Sequence, residues 1–244
     1  MQLGTGDPYR HGAVNKSLFS LALRPSACYT PFMRLARILA LFISGVFSIY
    51  SNSPAEKGFS IEGGLIYDRP AINSHDRPYA HMKGGIGFIG NVGYDFFERG
   101  GLEMGGMRSS HDYELGVRNG VVLEETAPKT VFFLKARGTP FKRGKFEAVL
   151  AAGIGYFDIS GQRLDALGVP YDEYFSGWGF TGDIDLRYSI TGGLAACIYL
   201  GSNIVNYSNY EIFGQKADFH QRLPGGHSVN WGLTLYHHIG IPQL

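Results

Sequence analysis

The chain has 244 residues, and its 22 Lys and Arg against 21 Asp and Glu leave a formal net charge of +1, without the basic excess that a nucleic-acid partner requires. A mean hydropathy of −0.06 excludes a bundle of membrane helices. Aromatics at 14% and 35 glycines exclude a disordered polyampholyte and provide for one substantial domain.

The one continuous apolar run, 38–50, has 13 residues, short of the roughly 20 that a spanning helix needs. Arg34 and Arg37 precede it and the small-residue stretch 51–55 follows it, which is the order of a secretory signal peptide. Residues 33–55 are therefore expected to be a signal peptide cleaved after Ala55. Residues 1–32 show no periodicity and are expected to be a mis-assigned start, translation beginning at Met33, or a disordered extension. The domain is then 56–244. Its 17 basic and 20 acidic residues make it mildly acidic, and Cys197 is its one thiol, so it is no disulfide scaffold.

From there the chain alternates apolar and polar residues with a period of two. The sharpest stretch is 178–190. Trp178, Phe180, Ile184, Leu186, Tyr188 and Ile190 fall on one face of a strand there, and Thr181, Asp183, Asp185, Arg187 and Ser189 on the other. The pattern predicts strands at about 57–68, 81–97, 100–109, 127–139, 144–160, 175–191, 193–208 and 227–240. Connections at 98–101, 142–144 and 191–193 are short and glycine-containing. Those at 69–80, 110–126, 161–174 and 209–226 are long and polar. With no helical periodicity to cover the apolar faces, this reads as an all-β protein, an eight-stranded antiparallel up-and-down transmembrane β-barrel. Its short turns are expected in the periplasm and its four long loops outside the cell.

Parity sends Phe59, Ile61, Leu65, Ile86, Phe88, Phe132, Leu134, Ile154, Ile198, Leu200, Trp231 and Leu233 to lipid. It sends Glu62, Lys83, Asp95, Glu103, Lys135, Arg137, Glu147, Asp183, Asp185 and Arg187 to the lumen. A bore of eight strands is only wide enough for its own side chains to fill. These charges are therefore expected to pair into a plug, since an unpaired buried charge costs several kcal/mol.

The segments 148–156 (AVLAAGIGY), 182–188 (GDIDLRY) and 230–237 (NWGLTLYH) complete the pattern. With the leader, short inner turns, long outer loops and mixed-charge lumen, the domain resembles the OmpA/OmpX-type outer-membrane β-barrel superfamily. The last segment looks like the C-terminal insertion signal of such barrels, although His237 stands where an apolar or aromatic residue is usual. The resemblance implies outer-membrane lipid and lipopolysaccharide as surroundings, and the barrel-assembly machinery as partner during insertion. It implies localisation in an outer membrane of Gram-negative type. It leaves open a structural or surface-interaction role, a narrow pore, and a lipid A-modifying acyl hydrolase or acyltransferase.

Three further motifs bear on chemistry. The run 85–90 (GIGFIG) matches the dinucleotide fingerprint, but it sits inside a predicted strand with no helix to receive a pyrophosphate. For acyl transfer the candidates are Ser228 with His227, and His75 with Asp76 in a phrase, 76–80 (DRPYA), that resembles one from an outer-membrane lipid A deacylase family. Solvated loops also carry such residues, and no catalytic set is expected. His237 and His238 point to opposite faces of a strand and cannot share a metal. No metal, cofactor or cofactor-binding residue is expected, and the loop ligand is left unknown.

Overall fold

The computed structural model describes residues 57–70, 82–97, 99–118, 121–165, 167–216 and 225–240. The expected leader, His75 and Asp76 lie outside them. Among the described residues nine strands follow in chain order: β1 (Gly58–Pro70), β2 (Met82–Phe97), β3 (Gly100–Arg118), β4 (Val121–Arg143), β5 (Phe146–Leu164), β6 (Pro170–Thr191), β7 (Leu194–Ile212), β8 (Gln215–Lys216) and β9 (Gly225–Gly240). Each long strand pairs antiparallel with its neighbours, and β9 pairs with both β7 and β1, which closes a ring of eight. The two residues of β8 only fold back onto the end of β7.

The register fixes the barrel's geometry. Starting from Glu62 and crossing strand by strand through Asn91, Gly105, Phe133, Gly155, Gly179 and Val205 leads to Gly226, whereas β1 pairs Glu62 with Tyr236, ten residues further along β9. That offset over eight strands corresponds to a strand tilt of about 40°. At the short-turn end Gly144 and Gly193 take positive φ, 60° and 85°, the conformation that tight hairpins ask of glycine.

The lipid face follows from the alternation. Phe59, Ile61, Leu65, Ile86, Phe88, Phe132, Leu134, Ile198 and Leu233 are half or more exposed on the outer surface. Aromatic pairs bound this band at both ends. Phe59–Tyr94 and Phe146–Tyr188 stand at the short-turn end, each at 5.0 Å between centroids, and Tyr67–Trp231 at 4.9 Å and Tyr156–Trp178 at 5.4 Å at the other. Leu186 lies within the band, so Leu186→Arg should destabilise the barrel by about 2–4 kcal/mol, read from denaturant unfolding in lipid vesicles.

The strands run on where the sequence pattern predicts loops. β3 and β4 pair up to Arg118 and Val121 across the expected connection 110–126, and β5 and β6 pair up to Leu164 and Pro170 across 161–174. The cause lies in the bore at this end, where Tyr113, Ile159, Phe175, Tyr207 and Tyr210 are buried together and hold the hairpins upright on a largely aromatic core.

Candidate functional site

The interior is layered, and the order can be followed up single strands. From the short-turn end, β4 points Arg137, Lys135, Phe133, Val131, Lys129 and Ala127 inward, and β7 points Cys197, Tyr199, Asn203, Val205 and Tyr207 inward, all buried.

The first layer is ionic. Arg187 donates to Glu62 Oε2 and to Asp185 Oδ2, both at 3.0 Å, and its guanidinium lies 3.8 Å over the Tyr236 ring. Thr234 Oγ1 donates to the other oxygen of Glu62 at 2.5 Å. Lys135 is paired with Asp183, lies 3.3 Å from Glu103 Oε1 and stands 3.8 Å over the Phe133 ring. Arg137 grips Asp95 with two parallel bonds of 3.0 and 2.7 Å, and reaches Glu103 Oε2 at 3.8 Å. Glu103 thus joins Lys135 to Arg137. Eight of the ten predicted lumen charges come together here.

The other two do not join this network. Lys83 is on the outer face with its side chain 61% exposed, ion-paired to Glu124. A register shift in the β2–β3 pairing between Met82 and Gly85 turns Met82 inward and Lys83 outward, against the parity of the rest of β2. Lying beyond the apolar band, its ammonium is held above its usual pKa by the Glu124 carboxylate. Glu147 pairs instead with Lys142 at 2.9 Å, at the short-turn end. With Asp95, Arg99, Arg137 and His238, these two line an open chamber of about 510 Å³.

Above the ionic layer the bore is filled by Ile66, Ile89, Met107, Phe133 and Val131. A second polar layer follows. Asp68 Oδ2 accepts from Lys129 at 2.8 Å and from Ser109 at 3.1 Å, and lies 3.3 Å from His111 Nε2. Lys129 also donates to Ser228 Oγ at 2.6 Å. At the far end, one step beyond the stacked Phe175 and Tyr210 rings, Glu173 accepts from Tyr113 at 3.1 Å and Tyr210 at 2.8 Å. Outside this end the Asp158 carboxylate accepts from Tyr174 and holds that phenol well above its usual range. The sequence reading missed Asp68, Lys129 and His111. A usable signal exists, since Lys129 has the parity of Lys135 and Arg137 and Asp68 that of Glu62, both within predicted strands; of the three only His111 was hidden, by assigning 110–126 to a loop.

The acyl-transfer candidates separate. His227 is exposed on the outer face and hydrogen-bonded to Ser202 at 2.9 Å, while its neighbour Ser228 is fully buried beside Lys129, because adjacent residues of a strand point to opposite faces. The run 85–90 lies within β2, its backbone paired to β1 and β3. Among the described residues no group of three His, Cys, Asp or Glu side chains is placed to hold a metal ion.

Fold and interior together define a transmembrane β-barrel of eight strands, the architecture of small outer-membrane proteins. The structure is similar to that of the outer membrane protein OprG from Pseudomonas aeruginosa, with a TM-score of 0.52 and 11% identity over 79% of this chain and 100% of that one. It is also similar to a major outer membrane protein from Thermus thermophilus, with a TM-score of 0.51 and 14% identity over 75% of this chain and 99% of that one. At such identities the likeness is one of fold. No protein-family model and no curated protein sequence matches the chain.

Proposed function

We propose that the protein is an integral outer-membrane protein of Gram-negative type with a closed lumen, exported by the leader at 33–55, and that it serves envelope integrity or surface interaction. Its short-turn end faces the periplasm, and its extended hairpins stand at the cell surface. The observation that carries this reading is the unbroken sequence of buried side chains up the bore, ionic, apolar, polar and aromatic in turn. The chamber at the short-turn end reaches as far as Arg137, Arg187 and Tyr236, where the ionic layer begins. Opposite charges in so narrow a bore gain more from pairing than from the little water it can hold.

Planar-bilayer recording on the refolded protein is the test. No stable conductance steps are expected. Combining Lys135→Ala with Phe133→Ala removes an ammonium and the ring beneath it and should introduce a leak. Large, ion-selective steps from the unmutated protein would establish a pore instead.

A further inference from the structure

Outward-facing basic side chains at the hairpin end of the barrel are gathered on one side. Just above the apolar band, β9 carries His227, β1 Arg69, β2 Lys83 and β3 Arg108, all exposed and on consecutive strands of the ring. On β5 the outward position near this depth is Asp158, bonded to Tyr174. Lys83 has Glu124 as its ion partner and Asp112 and Glu114 nearby. Arg69 and Arg108 differ: neither has an ion pair or hydrogen-bond partner for its guanidinium among the described residues.

Below the two arginines is an aromatic platform. Trp231 and Tyr67 meet at 4.9 Å on the outer face of β9 and β1, each still about two-fifths exposed. The Tyr67 ring extends on across β2 over Gly84, where a Cβ would stand 2.0 Å from the phenol oxygen, so only glycine lets the ring lie flat. Beneath it Ile86 and Phe88 are 69% and 67% exposed to the bilayer. Asp68 pairs with Gly85, which sets Arg69 beside Gly84, while Arg108 pairs with Phe88. The strand tilt brings both arginines to nearly the same depth, with Cα atoms about 16 Å apart.

We propose that this face, across β9, β1, β2 and β3, binds the headgroup of an outer-leaflet glycolipid: a bisphosphorylated, multiply acylated disaccharide of the lipopolysaccharide type. Arg69 and Arg108 each take one phosphate, as guanidinium suits that anion. Tyr67 and Trp231 carry the sugar plane and the start of the acyl chains. The site continues the lipid-facing surface, and its two guanidiniums without an ion partner among the described residues match the two phosphates in number, Lys83 being neutralised by its own acids. The proposal rests on the surface orientation argued above.

Trp178→Phe leaves Trp231 as the single tryptophan of the chain, an emission reporter within the site. In this background the refolded full chain in detergent micelles is titrated with bisphosphorylated lipid A, with its dephosphorylated form and with phosphatidylglycerol. The bisphosphorylated lipid should shift Trp231 emission saturably, with an apparent Kd about tenfold below the other two. Arg69→Ala and Arg108→Ala should each weaken it about tenfold, added salt should weaken it further, and Asp158→Asn should leave it unchanged. Equal binding of the dephosphorylated lipid or phosphatidylglycerol, or indifference to both arginine substitutions, overturns the proposal. The micelle titration does not depend on location in the cell. Fractionation that places the protein outside the outer membrane would defeat the orientation instead, and the two failures are distinguishable.

Discussion

Arg187→Ala should cost about 3–5 kcal/mol, because it strands two buried carboxylates at once. Glu62 and Asp185 both pair with this guanidinium at 3.0 Å, and the two acids are 4% and 3% exposed. Thr234 still serves one oxygen of Glu62, but a neutral hydroxyl cannot balance its charge. Combining Arg187→Ala with Glu62→Gln should recover much of the loss, since the penalty belongs to the unpaired charge more than to the missing contact. Denaturant unfolding in lipid vesicles, followed by Trp178 and Trp231, which both face the bilayer, gives the comparison. Additive penalties for the two substitutions would show that these side chains do not act as a pair.

The second large effect is expected at Lys129, higher in the bore. Lys129→Met keeps the length and apolar stem but leaves Asp68, fully buried, without the ammonium that lies 2.8 Å from it. A loss of about 3–5 kcal/mol is expected here too. Asp68→Asn in the same protein should restore most of it. Ser109 and His111 remain in place to bond the amide. Rescue at Asp68 but not at Glu62 would identify the second polar layer as an independent unit. Since Ser228 accepts from the same ammonium, a small measured effect would show that Asp68 is balanced by its other neighbours.

What the sequence by itself determined is the part that depends on period two. The 178–190 stretch sorts Leu186 to lipid and Arg187 inward because successive side chains of any strand point to opposite faces, and the folded barrel keeps both assignments. The same local rule placed Glu62, Glu103, Lys135, Arg137, Asp183 and Asp185 inside, and Gly144 and Gly193 in tight turns. The tertiary structure alone decided partners and levels. Glu62 meets Arg187 across 125 residues, and Asp68 meets Lys129 across 61, through ring closure and the ten-residue offset of the register, which no local pattern encodes. It also decided the exceptions. The register shift at Met82 to Gly85 reverses Lys83, and the buried Tyr113 and Tyr210 keep as strands what polarity alone marks as loops. In each case the deciding energy comes from side chains distant in sequence that meet in the closed bore, where burial outweighs local preference.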